Sequence, residues 1–72
     1  MPKVKKIDAA RNIRAERVRH NLTQLQMSKK LGLSVTGYSQ KETGKRQFSL
    51  EEFVLICEVL KTDPETLLKN PS

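Results

Sequence analysis

Apolar residues recur along this chain at helical spacing, and no stretch alternates apolar and polar positions as a half-buried strand would. Between residues 50 and 61, Leu50, Phe53, Val54, Cys57 and Leu60 fall on one stripe, with Ile56 beside it. Apolar pairs also flank polar helix starters. Leu22 and Met27 bracket Thr23-Gln24-Leu25-Gln26, and Phe48 and Phe53 bracket Ser49-Leu50-Glu51-Glu52. In both, the first hydroxyl can accept the N–H of the fourth residue while the fourth side chain reaches back, a capping box closed by a hydrophobic staple. Ser34, between Leu33 and Tyr38, supplies a third start; Asp8 before Ala9-Ala10 and Asp63 before Pro64 supply two more. Asn21, Gly32 and Gly44 tolerate left-handed backbone and mark stops. The pattern predicts an all-α fold with helices over 9–20, 24–31, 35–42, 50–61 and 64–69. These form a single domain over 8–69, preceded by a basic arm at 1–7 and followed by a tail at 70–72.

The connection between the second and third helices carries the first hint of function. Leu31-Gly32-Leu33-Ser34 leaves room for a turn of only three to four residues, the connection of a helix-turn-helix. Such a turn holds the second helix of the pair across the first, where its front face can enter a DNA major groove. The charge distribution agrees. Residues 1–46 hold twelve of the fourteen Lys and Arg against Asp8, Glu16 and Glu42, whereas 47–72 hold Lys61 and Lys69 against five acids. The net +6 divides into +9 over 1–46 and −3 over 47–72, which fits a nucleic-acid footprint and, on charge alone, equally an anionic membrane surface or an incidental solvated face. Arg17 sits four residues after Ile13 on the apolar stripe of the first helix, and a guanidinium buried there needs a partner.

Composition excludes more than it assigns. Seventy-two residues build one small core with little to spare for a deep catalytic pocket. With one histidine, His20, one cysteine, Cys57, and no phosphate-binding glycine loop, no enzyme, metal site, cofactor or small-molecule ligand is expected. Cys57, at a small-residue position of the fourth helix, is expected to be a buried, inert thiol; His20 is expected at a helix end on the surface. No apolar run approaches the roughly 18 residues of a membrane span. The charged Met1–Lys6 segment has no apolar stretch after it, so a soluble, cytoplasmic, nucleoid-associated protein is expected.

Together, Leu22-Thr23-Gln24, Lys30-Leu31-Gly32-Leu33-Ser34, Tyr38-Ser39, Lys41-Glu42, Gly44-Lys45-Arg46 and Ser49-Leu50-Glu51 resemble the Cro/C1-type helix-turn-helix domains of phage repressors, the XRE family. Tyr38, Lys41-Glu42 and the later Phe48 look like a branch common in Gram-positive bacteria and their phages. The resemblance runs from about Asn12 to Leu68 and implies a five-helix, lambda-repressor-like domain that binds double-stranded DNA as a homodimer on a palindromic operator. It implies that Val35, Thr36 and Gln40 face bases. It also implies that Gln24, Ser39, Lys41, Lys45 and Arg46 contact phosphates, and that Arg17 and Glu42 form a structural ion pair. The chain departs from the family at Ser28, where alanine is preferred, at Val35, where a polar residue is common, and at Gly37 inside the recognition helix.

The side-chain chemistry suits these roles. Gln40 can make a bidentate bond to adenine, Thr36 can bond several base edges, and Val35 can meet a thymine methyl. Gln24 and the free N–H groups of its helix start can share a phosphate, and Tyr38 is expected in the core. Val54, Leu55 and Val59 exceed the needs of one core stripe and suggest a dimer contact with the last helix. The alternative is an antitoxin-like or adaptor module that uses the same fold to bind a protein partner, though such a module would not need a basic recognition helix and loop.

Overall fold

The computed structural model describes residues 9–69 and consists, over those residues, of five helices without a strand: α1 (Ala9–Arg19), α2 (Gln24–Leu31), α3 (Val35–Glu42), α4 (Leu50–Val59) and α5 (Pro64–Leu68). The expected arm at 1–7, the Asp8 cap and the tail at 70–72 lie outside the described residues.

The helix ends follow local chemistry. Thr23 Oγ1 accepts the Gln26 N–H at 3.0 Å while Gln26 Oε1 accepts the Thr23 N–H at 2.8 Å. Ser49 and Glu52 make the same reciprocal pair at 3.1 and 2.9 Å. Each box satisfies donors that a helix start otherwise leaves bare. Ser34 Oγ accepts from Gly37 N at 3.0 Å. Asp63 occupies the cap position of α5, but its side chain makes no capping hydrogen bond there, leaving Pro64 in the first turn as the main start signal.

Gly32 closes α2 in the left-handed region at φ 71°, and Leu33 N then donates to Ser28 O at 2.8 Å, bringing the chain straight to the Ser34 cap. Asn21 does the same after α1 at φ 58°. The expected helix over 50–61 stops at Val59, because Lys61 turns left-handed at φ 50° and Thr62 N reaches back to Cys57 O at 3.0 Å. No glycine or asparagine announces that stop.

All five helices contribute to one core of Ile13, Met27, Leu31, Tyr38, Ile56, Cys57, Leu60 and Leu67, with Phe48, Phe53, Leu55 and Val59 packed around it. α2 packs on α3 and α4, and α1 on α3 and α5. The α1–α5 seam is tied by Asn12, whose Nδ2 donates to the carbonyls of Leu67 and Lys69 at 2.7 and 2.6 Å. Ser28, 1% exposed, keeps the α2–α3 contact tight and bonds its hydroxyl back to Leu25 O at 2.7 Å. The stripe expected on α4 is rotated: Ile56, Cys57 and Leu60 are buried, whereas Leu50 is 78% and Val54 50% exposed. Helical spacing alone left two adjacent faces open, and packing against α2 and α5 selected between them.

Candidate nucleic-acid interface

α2 and α3, joined by three residues, place the start of α2 beside the end of α3. Side chains from three helices, α1, α2 and α3, converge at that junction on Glu42. Its carboxylate accepts from Arg17 Nε at 2.7 Å and Nη2 at 3.1 Å, from the Tyr38 hydroxyl at 2.5 Å, and from Gln24 Nε2 at 2.9 Å. Arg17 Nη1 donates onward to Leu22 O at 2.6 Å, so the guanidinium also holds the turn between α1 and α2. Burial alone would raise the Glu42 pKa, but the hydrogen bonds from Arg17, Tyr38 and Gln24 outweigh it and hold the carboxyl below its ordinary value. Burial first, and then its bond to the Glu42 carboxylate, push the Tyr38 phenol far upward. The result is a charge-satisfied knot that sets the angle of α3 against α1 and α2.

Beyond this knot, the outer part of α3 is open to solvent. Thr36 is exposed and Val35 41% exposed, while Ser39 and Gln40 are half-buried. Among the described residues, neither the Thr36 hydroxyl nor the Gln40 amide has a side-chain hydrogen bond within the protein, so both remain available to a ligand. The Gln40 carbonyl, by contrast, accepts from Lys45 N at 2.9 Å and Arg46 N at 3.1 Å, folding the following loop back onto α3. Gly44 makes that bend possible at φ 86°. The Lys45 and Arg46 side chains are exposed there. Arg11 and Arg14 of α1 line a shallow cleft with Thr43 and Gly44, adding cations beside the same loop. Arg11 carried no motif and escaped the sequence reading; only the packing of α1 against α3 brings it here.

Two expected phosphate residues are engaged within the protein. Gln24, in the first turn of α2, gives its amide nitrogen to Glu42, which orients the side chain at the helix start. Lys41 places its Nζ 2.6 Å from both oxygens of Glu52 in α4. Spacing within α3 could not show that partner, because it belongs to the next helix. Cys57 is buried and its thiol is pushed upward by burial, while His20 is exposed with Nδ1 2.9 Å from Glu16 O.

A helix-turn-helix family model matches residues 13–67, from the first core residue of α1 to the buried leucine of α5. The chain belongs to the Cro/C1-type helix-turn-helix family. Similar solved structures include a hypothetical transcription factor of Neisseria, with a TM-score of 0.81, 25% identity, and 90% of this chain and 73% of that one covered. The P22 c2 repressor protein in complex with a synthetic operator matches at a TM-score of 0.74 and 27% identity, covering 93% of this chain and 100% of that one. The clp gene regulator ClgR of C. glutamicum shares the fold at a TM-score of 0.79 and 18% identity, over 93% of this chain and 87% of that one. No curated protein sequence matches significantly. This family and fold are those of DNA-binding transcription regulators. Among the described residues, no helix is long and apolar enough to cross a membrane.

Proposed function

We propose that this Cro/C1-type domain is a sequence-specific repressor that binds a palindromic operator as a homodimer and blocks transcription by occupancy. The observation that carries the reading is the outward face of α3, whose Val35 and Thr36 are exposed and whose Gln40 amide has no partner among the described residues, held at a defined angle by the Glu42 knot. In this reading α3 enters the major groove, Thr36 and Gln40 bond base edges, and Val35 touches an apolar base edge such as a thymine methyl. Gln24, the free N–H groups opening α2, Ser39, Lys45 and Arg46 hold the flanking phosphates. Lys41 drops out of the phosphate set because Glu52 holds its ammonium.

An apolar patch supports the dimer. Leu50, Val54 and Leu68 are 78%, 50% and 39% exposed; Leu50 and Leu68 line the same groove, and Val54 lies one turn along α4 from Leu50. Leu55 and Val59, expected to share such a contact, instead pack partly buried against the core, so Leu50, Val54 and Leu68 replace them as its candidates. The repressor of phage P22 similar to this chain was solved with a synthetic operator, which favours DNA over a protein partner as the ligand of this face. Selection from a randomised duplex library at about 150 mM salt tests the reading. Enrichment of a palindrome with half-sites about 34 Å apart is expected; binding to every sequence equally, with steep salt dependence, overturns sequence-specific repression.

A further inference from the structure

We infer that Lys41 and Glu52 form a clasp that holds the 43–49 loop in its DNA-contacting shape, making Lys41 a positioning residue that acts on DNA through Glu52 and not by touching a phosphate. The inference rests on the DNA-binding reading above.

The loop between α3 and α4 carries Lys45 and Arg46, and its two ends are anchored differently. Its first half hangs on α3: Lys45 N and Arg46 N both donate to Gln40 O, and Thr43 Oγ1 donates to Ser39 O at 2.9 Å. Its second half hangs on the α4 cap, where Ser49 N donates to Glu52 Oε1 at 2.9 Å. Lys41 joins the two halves, because its Nζ lies 2.6 Å from both oxygens of that same Glu52 carboxylate. α3 packs chiefly on α1 and α2, and α4 on α2 and α5, so the two helices that the loop joins are related mainly through α2 and not by direct packing on each other. Phe48, whose ring centroid lies 6.0 Å from that of Tyr38, pins the loop's far end to the core but leaves Lys45 and Arg46, at its middle, outside the pinned part. Among the described residues, Lys41–Glu52 is the ion pair that links α3 to α4. Both side chains are 17% exposed, so the pair is shielded well beyond an ordinary surface bridge. The Lys41 hydrogen bond, followed by the Ser49 backbone donor, holds the Glu52 carboxyl below its ordinary pKa.

Glu52→Gln separates this role from direct phosphate contact by the sign of its effect. Glutamine keeps an oxygen that accepts from Ser49 N, so the cap of α4 survives, but it loses the charge that holds Lys41. If Lys41 served a phosphate, E52Q would free its ammonium and remove a negative charge from the DNA face, and binding would tighten.

The experiment measures dissociation constants on the library-selected operator, and amide hydrogen exchange without DNA, for wild type, E52Q, K41M, K41R and K41M/E52Q. The clasp requires E52Q and K41M each to weaken binding by about threefold to tenfold. It also requires the double variant to be no worse than either single, and K41R to remain near wild type. The Lys45 and Arg46 amides must exchange faster in E52Q while those of α1 stay unchanged. Tighter or unaltered operator binding by E52Q, additive losses in the double variant, or unaltered loop exchange overturns the inference. Wild-type protein that binds no DNA removes the DNA role and the reading beneath it, while the exchange data separately show whether the clasp orders the loop.

Discussion

Single residues carry both the readout and the small strains of this fold. Gln40→Ala is expected to cost about 1–3 kcal/mol on the preferred operator and to relax specificity at one base position. Lys45→Ala should weaken all duplexes alike and lower the salt slope by about one. Binding isotherms on specific and random DNA at several salt concentrations distinguish the two; identical behaviour of both variants would reject the assigned roles. Lys61 is the clearest strain, a side chain held at φ 50° where glycine is at ease. Lys61→Gly should therefore stabilise the fold by about 0.5–1 kcal/mol in urea unfolding, through relief of the left-handed penalty at the end of α4. Gly37 is a more balanced case. Alanine there gains about 1 kcal/mol of helix propensity, but its Cβ would stand 3.0 Å from the Ser34 Oγ that caps α3.

At the level of elements, the knot at Glu42 holds α3 against α1 and α2. Its Arg17 partner has only 8% exposure, so Glu42→Gln leaves a shielded guanidinium facing a neutral amide. A loss of about 3 kcal/mol is expected, a large share of the stability of so small a domain, with chemical denaturation as the measure. Gln24, Arg17 and Tyr38 would then share a single accepting oxygen, so the hold on Gln24 should loosen and the variant should bind the operator less tightly even where it remains folded. Asn12 plays a comparable part for α5, a short helix whose last carbonyls it satisfies from α1. Asn12→Ala should destabilise by about 1–2 kcal/mol, because two carbonyls lose their donor; an unchanged urea midpoint would show that the α1–α5 seam holds without it.

For the whole molecule, the shifted groups define a pH window. The Glu42 and Glu52 carboxyls titrate lower in the folded chain than in the unfolded one. Their stabilisation is therefore complete above the ordinary carboxylate pKa of about 4.3 and is lost as pH falls toward the depressed folded values. Tyr38 and Cys57 shift upward, so the unfolded chain ionises first in alkali. Stability then declines as pH rises past their ordinary values of about 8.5 to 10. Thermal unfolding across pH should show a plateau with a fall on each side, and in E42Q the acid-side fall should shrink. The exposed Leu50, Val54 and Leu68 patch adds a concentration dependence. Val54→Asp should weaken cooperative operator binding while leaving the isolated fold near wild-type stability, which sedimentation and DNA titration would show together.

Helix starts and the short turn were legible in the sequence because they rest on contacts three to five residues apart. Thr23 with Gln26, Ser49 with Glu52, Ser34 before α3 and the left-handed Gly32 all lie where spacing put them. The need of Arg17 for a partner was equally visible, since charge on an apolar stripe demands one, though Glu42 as that partner came from the family resemblance. Tertiary structure decided the rest: which face of α4 is buried, where that helix stops without a glycine, and the bond from Gln24 to Glu42. It also decided that Lys41 turns to Glu52 and that Asn12 closes a helix 55 positions away. Local backbone chemistry acts along the chain and can be read from it, whereas these partners meet only after the helices have packed.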